Sequence, residues 1–175
     1  MLKLWRCQIC GDPYLGEEKP VNCPFCGAHE RQMVIQAAYV NRVGAIPNLT
    51  EATHRNLEAA LELEIGNAQF YACAAGKSET DEAKNLFKIL GKVESEHASV
   101  LCKAMGIKKP AITEADICGG DFQENLAESH RREEGAIKHY GKFLSEAVEP
   151  RAQEIFSALV AIESDHLSLS GESMA

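Results

Sequence analysis

The sequence contains no hydrophobic run that approaches the roughly 20 residues needed to cross a membrane as a helix. Its start, MLKLWRCQIC, lacks the apolar core of a secretory signal peptide, and no tract of low complexity occurs. Positive charge is also scarce, because 18 Lys and Arg stand against 26 Asp and Glu, for a net charge of −8. Nucleic-acid binding requires a basic face, so that class of function is excluded. We expect a soluble, cytoplasmic, globular protein.

The negative charge is concentrated in the longer, C-terminal part of the chain. Residues 1–47 contain five Lys or Arg and four Asp or Glu, whereas residues 48–175 contain thirteen and twenty-two. A chain of 175 residues has room for one domain and a small module. We therefore expect a module with its linker at 1–47 and a larger domain at 48–175. The acidic excess of the larger domain fits either a solvated surface or a cation site.

The cysteines are unevenly distributed, because four of the seven lie in the first 26 residues. They form two CxxC pairs, each followed by a glycine (Gly11 and Gly27) that allows a tight turn with N–H groups directed at the thiolates. Four thiolates suit a closed tetrahedral site for Zn²⁺ or for a single iron, and the spacing does not distinguish the two metals. The predicted ligands are Cys7, Cys10, Cys23 and Cys26.

The other cysteines carry weaker signals. Cys73 and Cys102 fall on predicted helices and are expected to be small core residues. Cys118 falls in a segment without helical pattern, where we expect it to be exposed. Residues 28–49 are expected to form a packed linker.

From about residue 50 onward, the pattern of apolar residues predicts four helices. Gly106 and Pro110 mark the end of the second helix, and Asp121 with Glu124 forms a capping box that opens the third. Pro150 takes the first position of the fourth. The predicted spans are about 50–76, 80–105, 121–147 and 150–169, with a crossover at 107–120.

An internal repeat becomes visible when the sequence is shifted by 69 residues against itself. Residues 56–102 then align with 125–171 without a gap, and 12 of the 47 positions are identical. The segment LFKILGKVESEHAS falls on IFSALVAIESDHLS, so each copy carries a glutamate and a histidine three residues apart. The bundle therefore consists of two copies of one helical hairpin.

The repeat predicts a metal site, because residues three apart share one face of a helix. Helices one and three each add one glutamate, and four carboxylates with two imidazoles in a bundle core form a carboxylate-bridged two-metal site. The two related halves supply equivalent ligand sets, one for each metal, and the lone glutamates of helices one and three can bridge. Four buried glutamates without cations would be very costly. The predicted ligands, which are also the predicted catalytic residues, are Glu64, Glu94, His97, Glu133, Glu163 and His166.

Over nearly its whole length, the chain resembles the rubrerythrins of the ferritin-like superfamily. LWRCQICG followed by NCPFCG looks like their rubredoxin-type iron module, placed here before the bundle as in the reverse rubrerythrins. NLEAALELEIGNAQFY and the two ExxH helices look like their di-iron bundle. The resemblance implies a mainly α fold, a ferritin-like four-helix bundle with a small N-terminal rubredoxin-like metal module.

The resemblance also implies cofactors: one iron at the four cysteines and two irons at the six bundle ligands. It implies that Tyr71 and Tyr140 hydrogen-bond ligand carboxylates, although simple core packing is an equal alternative. Rubrerythrins usually carry a further glutamate three residues after the helix-three ligand, where this chain has Ala136. The counterpart in helix one is Asn67. Because this glutamate is absent, redox-linked exchange of ligands and efficient peroxidase chemistry are in question. We expect His130 to lie behind the ligands or at the surface.

Three functions fit these residues. The leading hypothesis is a non-haem di-iron oxidoreductase that reduces hydrogen peroxide with electrons relayed through the four-cysteine iron from an external reductase or rubredoxin. If the two centres of one chain are too far apart for electron transfer, the module would serve a partner subunit's bundle instead, which predicts a homodimer. The alternatives are an iron-handling ferroxidase or storage protein that reacts with dioxygen, and a non-enzymatic bundle with a structural zinc ribbon.

Overall fold

The computed structural model describes residues 1–174, and the side chains of residues 1–171. The N-terminal module is a three-stranded antiparallel sheet of β1 (Lys3–Cys7), β2 (Pro13–Gly16) and β3 (Met33–Ile35), in the order β2-β1-β3. Short 3₁₀ turns flank β3 on both sides, at Glu30–Gln32 and Gln36–Ala38. Part of the segment expected to be a linker therefore belongs to the sheet of the module.

Four helices follow, as predicted. They are α1 (Glu51–Lys77), α2 (Asp81–Met105), α3 (Phe122–Glu146) and α4 (Pro150–Met174). Helix α1 packs along α2, and α3 along α4, so each repeat forms one hairpin. The mainly α, ferritin-like bundle with a small N-terminal module is thus confirmed. None of the helices in the described part of the chain is long and apolar enough to span a bilayer.

Local chemistry explains where these helices begin and end. Thr50, Thr80 and Asp121 each accept a hydrogen bond from the backbone N–H three residues on, which satisfies a donor that the first turn leaves free. The second half of the predicted capping box is displaced, because Glu124 accepts from the N–H of Gly120 at 2.9 Å. Helix α2 ends at Gly106, whose φ of 69° lies in the left-handed region that glycine tolerates.

The crossover between α2 and α3 corrects one expectation about cysteine. Cys73 is not a core residue: it is joined by a disulfide to Cys118 in the crossover, and both residues are half-buried. Cys102 is buried and carries a free thiol, as expected.

The module is docked on the bundle of its own chain. The Lys103 ammonium on α2 donates to the carbonyl of Cys10 at 3.2 Å, and Arg151 on α4 donates to that of Ile9 at 2.9 Å. The four module cysteines lie in the same buried cluster as the apolar residues of the bundle core. The module and one end of the bundle therefore share a hydrophobic core.

Candidate metal centres

The four cysteines of the module converge. Their sulfur atoms all lie within 4.8 Å of one another, and no cysteine of the group is more than 2% exposed. Backbone N–H groups of Ile9 and Asp12 lie 3.4 Å from the sulfurs of Cys7 and Cys10. Both donors belong to the first tight turn, where Gly11 has a φ of 88°, and Gly27 in the second turn has a φ of 73°. The arrangement has the donor set of a closed tetrahedral site.

A second convergence lies inside the bundle, where the helices bring the six predicted residues together. They fall into two overlapping groups whose potential ligand atoms lie within 4.8 Å of one another. The first group is Glu64, Glu94, His97 and Glu163, and the second is Glu94, Glu133, Glu163 and His166. Each group combines one glutamate from α1 or α3 with one histidine, and both share the glutamates of α2 and α4.

This overlap bears on which glutamates would bridge two metals. Glu94 and Glu163 belong to both groups, whereas Glu64 and Glu133 belong to one group each. The reason is the position of the helices. The two ExxH motifs lie on α2 and α4, and the Nδ1 atom of His166 is 3.2 Å from Glu94 and 2.9 Å from Glu163. If two metals bind here, the ExxH glutamates would take the shared position between them.

Two buried tyrosines hold the remaining glutamates. The hydroxyl of Tyr140 donates to Glu64 Oε1 at 2.6 Å, and that of Tyr71 donates to Glu133 Oε1. Each tyrosine lies in the opposite repeat to the glutamate it contacts, so the two hydrogen bonds tie the hairpins together. Tyr71 also shares a hydrogen bond of 2.8 Å with the hydroxyl of Ser129. For Tyr71 and Tyr140, the geometry therefore favours the predicted hydrogen bonds to carboxylates over simple core packing.

The chemistry of the cluster fits metal ions. Among the described residues, one oxygen on each of the four glutamates makes no hydrogen bond, although all four side chains are fully buried. Such orphaned acceptors are costly unless a cation engages them. Burial raises the pKa of Glu64 and Glu133 well above the ordinary value. Burial also opposes ionisation of Glu94, but the adjacent imidazoles of His166 and His97 outweigh it and lower the pKa of Glu94.

One contact joins the four cysteines of the module to the cluster of potential ligands in the bundle. The Nε2 atom of His97 lies 2.9 Å from the backbone carbonyl oxygen of Cys26. A carbonyl oxygen can only accept, so Nε2 carries the hydrogen and Nδ1 is left to face the carboxylates.

Gly27 packs close to Ile162 and Val93, where an added Cβ would lie 3.1 Å from Ile162. Asp165 on α4 lies 2.8 Å from the imidazole of His29 in the module.

The positions where this chain departs from the usual rubrerythrin pattern are buried but carry no carboxylate. Asn67 accepts a hydrogen bond of 3.3 Å from Arg132, and Ala136 is 1% exposed within the core. His130 lies 3.1 Å from the hydroxyl of Ser170 and belongs to neither bundle group.

Of the six bundle residues, His166 has the largest exposed side-chain fraction, 11%.

Comparison with known proteins agrees with this geometry. Residues 55–170 match the family model described as rubrerythrin. The chain is also similar to reverse rubrerythrin-1 of Clostridium acetobutylicum, with 25% identity over 125 residues that cover 66% of this chain and 69% of the relative.

Proposed function

Because this chain belongs to the rubrerythrin family, and membership indicates a non-haem di-iron oxidoreductase, we propose that it reduces hydrogen peroxide with electrons relayed through an iron held by its four module cysteines. Glu64, Glu94, His97, Glu133, Glu163 and His166 would hold the two bundle irons. An external reductase or rubredoxin would supply the electrons.

The observation that carries this proposal is the hydrogen bond between His97 and Cys26. The carbonyl that accepts from the His97 ring belongs to Cys26, which is itself one of the four cysteines. The other nitrogen of that ring, Nδ1, lies 3.1–3.4 Å from Glu64, Glu94 and Glu163. A structural zinc clip needs no such connection to a buried carboxylate cluster. The connection lies within one chain, so the proposed electron transfer needs no module from a partner, and the homodimer stays a prediction.

The residues of the site prepare it for a small oxidant. Two ferrous ions, when bound, supply the two electrons that cleavage of an O–O bond consumes. Tyr140 and Tyr71 each hold one oxygen of Glu64 and Glu133 by donating a hydrogen bond to it, which leaves the second oxygen of each carboxylate free as a ligand. Burial keeps bulk water away from the cluster. The partly exposed edge of His166 is the place where a small molecule such as peroxide can approach.

The test is kinetic and compares two oxidants. Fully reduced, iron-loaded protein is mixed in a stopped-flow instrument with either hydrogen peroxide or dioxygen, while the absorption of the four-cysteine iron is followed. We expect faster oxidation by peroxide. Faster oxidation by dioxygen, followed by accumulation of ferric iron, would instead support the ferroxidase or storage function.

A variant and a metal analysis complete the test. Cys10→Ser is expected to abolish steady-state peroxide turnover with an external donor while the bundle retains its iron. Undiminished turnover in this variant would exclude the relay. Protein from iron-replete cells is expected to contain three irons per chain, whereas one zinc with an iron-free bundle would favour the non-enzymatic alternative.

A further inference from the structure

The disulfide between Cys73 and Cys118 is a reactive feature outside the two metal groups. It joins α1 to the crossover across 45 residues of sequence. Both of its cysteines are half-buried, whereas the other five cysteines of the chain are buried thiols. A small reagent in solution can therefore reach these two sulfurs more readily than any other sulfur of a cysteine in this chain.

An open cavity of about 390 Å³ lies beside the bridge. Cys73 and Asp116 are among its lining residues, together with Gly76 and Glu114. A cavity of this size admits a small hydroperoxide or a small thiol. The bridge is thus accessible from a defined direction, between α1 and the crossover.

Noncovalent contacts hold the crossover to α1 independently of the disulfide. The Lys77 ammonium lies 2.7 Å from Asp116 Oδ1 and 3.3 Å from the carbonyl oxygen of Cys118. Farther along the crossover, Gln69 donates to the carbonyl of Thr113 at 3.0 Å. These contacts do not require the S–S bond, so the two sulfurs remain neighbours when the bond is broken. A reduced pair can therefore close again without refolding.

Two charged groups lie beside the disulfide, Lys77 and Asp116, and they are paired with each other at 2.7 Å. A neighbouring cation stabilises a thiolate, and Lys77 supplies one on the same helix as Cys73. Asp116 Oδ1 lies 3.8 Å from the sulfur of Cys73 and would oppose a thiolate, but its own charge is paired with Lys77. Partial exposure, with the nearby carboxylate paired to a lysine, leaves these sulfurs open to peroxides and disulfides.

We propose that Cys73 and Cys118 form a thiol–disulfide redox site, oxidised by a hydroperoxide and reduced by an external dithiol. In oxidation, one thiolate attacks a peroxide oxygen, the O–O bond breaks, and a sulfenic acid forms with release of water or an alcohol. The second thiol then displaces the sulfenic hydroxyl as water, and the S–S bond forms. One peroxide takes up the two electrons that the two sulfurs lose. In reduction, the external dithiol becomes a disulfide as this bond breaks. The site needs neither metal group.

The experiment uses full-length protein loaded with zinc, so that neither metal group changes oxidation state. The folded protein is treated with dithiothreitol, freed of reductant, and alkylated with iodoacetamide either directly or after equimolar hydrogen peroxide. Peptide mass spectrometry then measures alkylation at each cysteine. We expect nearly complete labelling of Cys73 and Cys118 after reduction, and loss of nearly all of it after peroxide. The zinc-bound and buried cysteines serve as internal controls whose labelling stays unchanged.

Single variants identify the intermediate. When Cys73→Ser and Cys118→Ser proteins are each treated with peroxide and dimedone, we expect at least one of them to yield a trapped sulfenic acid at the remaining cysteine. The proposal is overturned if the bridge resists dithiothreitol in the folded protein, because the disulfide is then purely structural. It is equally overturned if the reduced pair keeps its full labelling after peroxide.

Discussion

The Nε2 atom of His97, on α2, lies 2.9 Å from the backbone carbonyl oxygen of Cys26, in the module of the same chain. Docking within one chain places a predicted ligand of the four-cysteine site in direct hydrogen-bonded contact with a predicted ligand of the bundle. The internal repeat explains the location. Gly27 packs on Ile162 and Val93, which occupy equivalent positions in the two hairpins, so the module lies where the ExxH helices meet.

Docking within the chain predicts that two different defective chains cannot repair each other. Cys10→Ser disables the module and Glu94→Gln disables the bundle, while each leaves the other part intact. Under the proposal that each module serves its own bundle, we expect a co-expressed mixture to show no more peroxide turnover with an external donor than the separate variants do. Recovery to a clear fraction of wild-type turnover would mean that the module serves the bundle of another chain.

The overlap of the two bundle groups predicts unequal effects of two similar substitutions. Glu94 belongs to both groups and Glu64 to one. We therefore expect Glu94→Gln to lose both bundle metals and Glu64→Gln to retain about one, as for bridging and terminal ligands of a two-metal site. Element-resolved metal analysis measures this, with the exposed Glu134→Gln as the control that keeps both metals. Equal losses in the two variants would argue against the bridging role of Glu94.

The sequence predicts the helices and the identities of the converging residues because both depend on short-range spacing. A glutamate and a histidine three residues apart share a helix face, and the repeat marks this pair twice. Docking of the module depends on contacts between distant residues, such as His29 with Asp165, which no local pattern reveals. The membership of Glu94 in both bundle groups also depends on how α2 and α4 face each other. The Cys73–Cys118 pair joins a helix to an irregular segment, so periodicity points to core packing instead.

The tyrosine hydrogen bonds predict a loss of metal affinity without a loss of fold. Tyr71→Phe and Tyr140→Phe each remove one hydrogen-bond donor to a ligand carboxylate and preserve the ring that packs in the core. Loss of such a supporting contact typically reduces metal affinity or activity by about 10- to 100-fold. Competition with a chelator measures the affinity of the bundle, and Tyr14→Phe in the module is the matched control. Unchanged affinity in both bundle variants would mean that these tyrosines only fill space.

The lowered pKa of Glu149 predicts that the protein loses stability in acid. Burial disfavours its charge, but hydrogen bonds from the Thr53 hydroxyl and the Thr50 N–H outweigh this effect and lower its pKa from 4.5 to about 2. A group with a depressed pKa in the folded state stabilises above its unfolded pKa, and this contribution disappears as pH falls toward the folded pKa. Wild-type protein should therefore exceed Glu149→Gln in free energy of unfolding at neutral pH. Because solvent screens the group, we expect a difference of at most about 1 kcal/mol.

Urea unfolding at a series of pH values measures this difference. We expect it to shrink progressively between pH 4.5 and about 2. The exposed Glu62→Gln variant controls for the general effect of removing a negative charge. A difference between wild type and Glu149→Gln that stays constant across this range would show that the carboxylate charge is not what Thr50 and Thr53 stabilise.

The most direct test of electron transfer within one chain is a single-turnover measurement at a series of protein dilutions. Fully reduced, iron-loaded protein is mixed with a fixed excess of hydrogen peroxide, and oxidation of the four-cysteine iron is followed by its absorption. The contact between Cys26 and His97 predicts that this iron is oxidised at a rate independent of protein concentration. A four-cysteine iron that stays reduced, or a rate that falls in proportion to dilution, would contradict electron transfer within the chain.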